Sequence, residues 1–173
     1  MLREALTLAA ALGCALSAQC GTIVFNFDSG SPALTPTTPL PVDQTVGGLK
    51  ASFTGPFSIQ NSDQPYVPSN LSGNFLLQNV SQGSLTISFD QLLTGISFDF
   101  ATPDFGSDTN SSLRLTAFNG SNATLPVGSG DQLGSFDAPG GWGLGTLLFT
   151  SATPFNLVNI LVNQRPQLKF SGG

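Results

Sequence analysis

The sequence contains no histidine, and its single glutamate, Glu4, falls within the first few residues. Without imidazole, neither a Ser-His-Asp nor a Cys-His nucleophilic system can be assembled, and a zinc site built on histidine is excluded as well. Cysteine is limited to Cys14 and Cys20, and there is one Trp and one Tyr. So few large amphipathic aromatics cannot furnish the two girdles of an outer-membrane barrel. Charge is equally scarce: five Lys and Arg stand against ten Asp and Glu, a net −5. Such a chain cannot neutralise a phosphate backbone, which excludes nucleic acid as a partner. Mild acidity serves solubility instead. No apolar run approaches the ~20 residues of a transmembrane helix.

What is present begins with a leader. Arg3 precedes a nearly continuous run of apolar and small residues from Ala5 to Ala15, followed by Leu16-Ser17-Ala18. This is the pattern of a secretory signal peptide over residues 1–18, cut before Gln19, leaving residues 19–173 as one exported domain. The alternative is a lipid-anchored chain, since Ala11-Leu12-Gly13 places small residues ahead of Cys14. Cleavage after Ala18 leaves Cys20 as the sole thiol, so no internal disulfide forms and packing alone must stabilise the domain. Arg3 and Glu4 leave together, and every remaining acidic residue is Asp.

The body of the chain alternates like β-structure. In "TIVFNFD" Ile23, Phe25 and Phe27 point one way and Val24, Asn26 and Asp28 the other. In "GSLTISFD" Leu85, Ile87 and Phe89 oppose Ser84, Thr86 and Ser88, and in "GISFDF" Ile96, Phe98 and Phe100 oppose Ser97 and Asp99. Further strands are expected in "LKASFTG", "GNFLLQNV" and "SSLRLTAF", the last entering Asn119-Gly120, a tight-turn pair that "NATLPVG" can follow as a hairpin partner. "LGTLLFTS" and "FNLVNILVN" are more continuously apolar, as expected of central strands covered on both faces. Residues 29–42 hold four prolines and read as an extended surface connection. With no capped helical period, the expected fold is all-β, a two-sheet antiparallel β-sandwich resembling a jelly roll, with phenylalanine filling the core.

Three site chemistries remain open to such a chain. An aspartate pair such as Asp99 and Asp104 could do the acid-base work of a glycosidase, which needs two carboxyls ~5 to 10 Å apart. Asp99, however, lies on the polar side of a half-buried strand, where a solvated carboxylate keeps that face wet. The segment "TPDFGSDTNSS" offers Asp104, Asp108 and Asn110, which with Asp28 form a candidate structural calcium site, although the same residues are ordinary turn formers. Trp142 and Tyr66 lie in turn-rich loops where they could stack on sugar rings, or simply cover the ends of the sandwich. No residue set is expected to be catalytic.

Taken in order, "TIVFNFD", "QTVGGLKASFTG", "FSIQ", "LSGNFLLQN", "GSLTISFDQLLTGISFDFATP", "LRLTAFNGS" and "GTLLFTSATPFNLVNILV" behind a leader resemble exported bacterial β-sandwich domains of the PEP-CTERM sorting class. The resemblance implies a jelly-roll-like or carbohydrate-binding-like module of the cell surface or extracellular matrix, with polysaccharide or other surface proteins as partners. Two departures stand out. The chain stops at "QLKFSGG" without a Pro-Glu-Pro motif, apolar span and basic cluster, and Val158-Asn159-Ile160 stands where such domains close with Asp-Asn-Ile/Val. The expected function is therefore a non-catalytic surface or matrix module, with sugar binding through loop aromatics second and an aspartate glycosidase third.

Overall fold

A computed structural model describes residues 23–61, 71–78, 83–103, 112–120, 125–136 and 142–163. Nine strands occur among them: β1 (Val42–Val46), β2 (Leu49–Thr54), β3 (Phe57–Asn61), β4 (Asn74–Gln78), β5 (Ser84–Pro103), β6 (Ser112–Phe118), β7 (Pro126–Leu133), β8 (Ser135–Phe136) and β9 (Trp142–Asn163). The larger sheet runs β1-β2-β5-β9-β6-β7, with β8 also on β9, and β3-β4 form a second, two-stranded sheet. All pairings are antiparallel. The chain is thus the all-β, two-sheet structure that its alternation calls for. No helix among the described residues is long and apolar enough to cross a membrane.

β5 and β9 form the spine, and here the structure corrects the strand count. "GSLTISFD" and "GISFDF" are two arms of one strand, as are "LGTLLFTS" and "FNLVNILVN". The inward set of β5 changes parity, from Leu85, Ile87 and Phe89 to Ile96, Phe98 and Phe100. Strand side chains repeat every second residue, so such a change requires an irregularity. It lies where the β5–β9 register breaks, between Ser88 and Leu93 and again before Gly95. Strands that bend in this way pass from one layer of a sandwich to the other. The first arm of β9 accordingly lies over β7: a Cβ at Gly128 would stand 3.0 Å from Phe149 Cζ, so glycine there makes room for the ring. These arms are not covered on both faces, because Leu148 is 71% and Leu161 42% exposed on the outward side.

The core joins the inward rows of β2, β5, β6 and β9 around Phe155, which is fully buried with its ring 5.5 Å from that of Phe149. Burying one such side chain contributes ~1.5–3 kcal/mol. Gly47 and Gly48 close the β1–β2 hairpin with φ of 57° and 85°, the left-handed pair a two-residue turn needs to match strand twist.

The N-terminal segment departs from expectation. Phe25 and Phe27 pack on the core while Val24, Asn26 and Asp28 are exposed, as anticipated, but Ile23, expected on the inward side, is exposed as well, and residues 23–28 form no strand. Asn26 Oδ1 accepts the N–H groups of Asp28 and Ser29, each at 3.2 Å, and Phe27 adopts φ 59°. A side chain that captures nearby main chain competes with ladder formation. The segment becomes a strap. Its rings meet Phe53 at 5.9 and 5.2 Å, Gln44 Nε2 donates to Ser29 O at 2.8 Å, and Ser31 and Thr45 exchange main-chain bonds.

The proline-rich stretch that follows is more than a surface connection. Thr37 and Leu40 donate to Ile59 O and Phe57 O, while Ile59 donates to Thr38 O, so this stretch flanks β3. Pro36, Pro39 and Pro41 fall where no N–H is required.

Candidate functional site

Asp99 occupies the outward face of β5, directly across from Thr146 of β9. Thr146 Oγ1 donates to Asp99 Oδ1 at 2.6 Å, a charge-assisted hydrogen bond linking the two arms. Ser97, Leu148 and Thr150 stand further along the same face, all exposed. The wet side of the pleat is therefore where the alternation places this carboxylate. Its proposed acidic partner, Asp104, lies outside the described residues, as do Asp108 and Asn110 of the calcium candidate.

Asp28, the fourth candidate ligand, is described. Its Oδ1 accepts the N–H of Asn74 at 2.9 Å, and its carboxylate lies so close over Gly73 that a Cβ there would collide with it. Asn74 Nδ2 in turn donates to Phe27 O at 3.2 Å and Leu34 O at 3.3 Å. Asp28 thus pins the strap to the start of β4. Among the described residues, no three of His, Cys, Asp and Glu come together to hold a metal ion.

The other described aspartates make comparable bonds. Asp43 pairs with Lys50 at 2.7 Å across the β1–β2 hairpin, and Asp90 accepts the Lys50 main-chain N–H at 3.0 Å, joining β5 to β2. Arg114 and Asp131 meet at 3.1 Å between β6 and β7. The Lys50 ammonium hydrogen-bonded to Asp43, assisted by Ser52, holds that carboxyl below its ordinary pKa, and the same bond holds the Lys50 ammonium above its own. On the outward face of the spine, Thr86 Oγ1 donates to Asn159 Oδ1 at 2.6 Å. Sequence reasoning did not find these partners. Each pair depends on strand register, and only Asp43 and Lys50 lie near one another along the chain.

The two aromatic candidates belong to different places in the topology. Trp142 opens β9 and is in register with Pro103, the last residue of β5. The connection carrying Asp104, Asp108 and Asn110 therefore starts at the end of the spine where β9 begins. Tyr66 lies outside the described residues, in the connection from β3 to β4, whose closing pair is Asn61 with Asn74. Asp28 is bonded at that same pair, so topology associates it with the Tyr66 connection. Comparison with known proteins adds nothing to this geometry: no family model, no curated protein and no solved structure matches the chain.

Proposed function

We propose that the chain is an exported, non-catalytic β-sandwich module of the cell surface or extracellular matrix. The observation that carries this reading is the use made of the acids among the described residues. Asp28, Asp43, Asp90, Asp99 and Asp131 each bond to another segment of the fold. Each of these carboxylates has a structural partner, and a sequence without histidine offers few other general bases. The leader of residues 1–18 and the resemblance to exported bacterial sandwich domains support the same reading.

Expressed with a C-terminal tag in a bacterial host, the full chain is expected to leave the cytoplasm in shortened form and to hydrolyse no polysaccharide. Retention of the uncut chain in the cytoplasm, or glycan hydrolysis that Asp99→Asn abolishes, would overturn the proposal.

A second reading is sugar binding at the Trp142 end of the spine. It is favoured by the Pro103–Trp142 pairing, which makes an aromatic residue and the polar 104–111 connection neighbours in the topology. A glycan array probed with the processed chain tests it. Binding that Trp142→Ala removes supports this reading, and an array without signal refutes it.

A further inference from the structure

The Asn119-Gly120 pair following β6 is a chemical weak point in any exported protein. Glycine leaves the backbone nitrogen unshielded, so that nitrogen can attack the asparagine side-chain carbonyl carbon. A C–N bond closes a cyclic succinimide as the side-chain amide departs as ammonia. Water then opens the ring, giving aspartate or isoaspartate at position 119. The product acid gains a negative charge, and isoaspartate also reroutes the main chain through the side chain.

The fold grips both reacting groups. Gly120 donates its N–H, the prospective nucleophile, to Asn156 Oδ1 at 2.8 Å. Asn119 Nδ2, the prospective leaving group, donates to Pro154 O at 3.1 Å. Both acceptors belong to β9, in the bend between its arms where the register with β5 breaks. Asn119 itself is exposed, and a Cβ at Gly120 would meet nothing within 4 Å, so water has access to the pair. Attack requires Gly120 N to lose its proton and swing toward the Asn119 side chain, and both movements break bonds to β9.

We infer that Asn119 is a latent succinimide-forming modification site, held in its amide form by Asn156 and Pro154 and released when the bend of β9 opens. Modification at this position would then record how often that corner has opened, since a native-state reaction of this kind proceeds through local unfolding. The charge created at position 119 would stand beside the Pro154 carbonyl, removing a donor and adding an acceptor. Modification should therefore keep the corner open once it has occurred.

The test is peptide mapping by mass spectrometry of the full chain held at mildly alkaline pH, folded and in denaturant. Conversion at Asn119 is expected to be at least about fivefold slower in the folded chain, and Asn156→Ala is expected to recover much of the unfolded rate, on the scale of one lost hydrogen bond. Asn156→Asp keeps an acceptor and should remain slow. Amide hydrogen exchange on the unmodified chain supplies an independent measure, with the Gly120 N–H expected to be protected. Equal rates for folded and unfolded chain, a folded Asn156→Ala variant as slow as the original, or an unprotected Gly120 amide would each overturn the inference.

Discussion

Between Ser84 and Asn163 most of the described chain is held by backbone ladders, with apolar side chains turned inward in register. Between Ile23 and Pro41 the chain is held by scattered main-chain bonds, of Ser31 with Thr45 and of Thr37, Thr38 and Leu40 with β3, and by particular side-chain contacts: Asn26 on its own turn, Asp28 on Asn74, and Ser29 on Gln44. Both regions cover the same core, and Phe25 and Phe27 of the strap lie on Phe53 as neighbours of the spine's inward row. The difference lies in how each fails. A ladder distributes its load over many equivalent bonds, so damage has to come from the core beneath it. In the strap, the part from Ile23 to Ser29 depends on a few side-chain bonds that single substitutions can remove.

The largest effect should come from the spine. Phe155→Ala leaves a cavity where a fully buried ring met Phe149, at a cost of ~3–5 kcal/mol. Chemical denaturation should show a lower midpoint, because the ring lies in the core that β2, β5, β6 and β9 share. A midpoint left unchanged would mean that the Phe155 ring does not anchor the core. Overpacking the spine should cost somewhat less. A Cβ at Gly145 would stand 2.6 Å from Phe100 Cζ, so Gly145→Ala should destabilise by ~1–3 kcal/mol as the ring is displaced. If its thermal midpoint is unchanged, Phe100 is not packed on the facing strand as described.

In the strap, Asp28→Ala removes the acceptor of the Asn74 N–H. The carboxylate is exposed, so the loss should be about 1 kcal/mol, that of an ordinary hydrogen bond and less than a desolvated bond to a charged group provides. The informative readout is local. Hydrogen exchange at Ser31 and Thr45 should quicken while the β5–β9 amides keep their protection. Uniform acceleration across both regions would mean that strap and spine open together.

The same contrast explains what could be read in advance. Leu85, Ile87, Phe89, Phe98 and Phe100 face inward as their alternation indicates, because a half-buried strand imposes its period directly on sequence. The merger of two such runs into one bent β5 was not legible, since the change of parity is hidden in Gln91-Leu92-Leu93-Thr94, where no glycine or proline marks a turn. The β1–β2 hairpin was signalled by Gly47-Gly48 and went unread because "VDQTV" buries a polar residue, Gln44, beside Ala51. "TIVFNFD" shows the opposite error: correct facing from Val24 to Asp28, though not at the exposed Ile23, but no ladder, because Asn26 captures the N–H groups of the next turn. Asn119-Gly120 signals a tight turn, and Gly120 does take a positive φ, yet β7 begins only at Pro126. At the candidate site, the face on which Asp99 stands was legible. Its partner Thr146 was not, because register between strands far apart in sequence is set by the packed core rather than by local residues.

The smallest effect belongs to the Asp43–Lys50 pair at the edge of the larger sheet, and its pH dependence has a definite sign. Asp43 is held below its ordinary pKa by hydrogen bonds from Lys50 and Ser52, so its contribution is present above the unfolded carboxyl pKa and disappears as pH falls through the folded value. Lys50 is held above its ordinary pKa by the same partner, so its contribution is present below the unfolded ammonium pKa and disappears as pH rises through the folded one. Both side chains are exposed, and salt should weaken the pair further. In thermal melts at low ionic strength, Asp43→Asn should lie slightly below the original chain across the neutral range and converge with it at both the acid and the strongly alkaline ends. A gap that persisted at acid pH would show that Asp43 acts through packing or through its neutral hydrogen bonds, leaving this edge closer to the strap than to the spine in the way it is held.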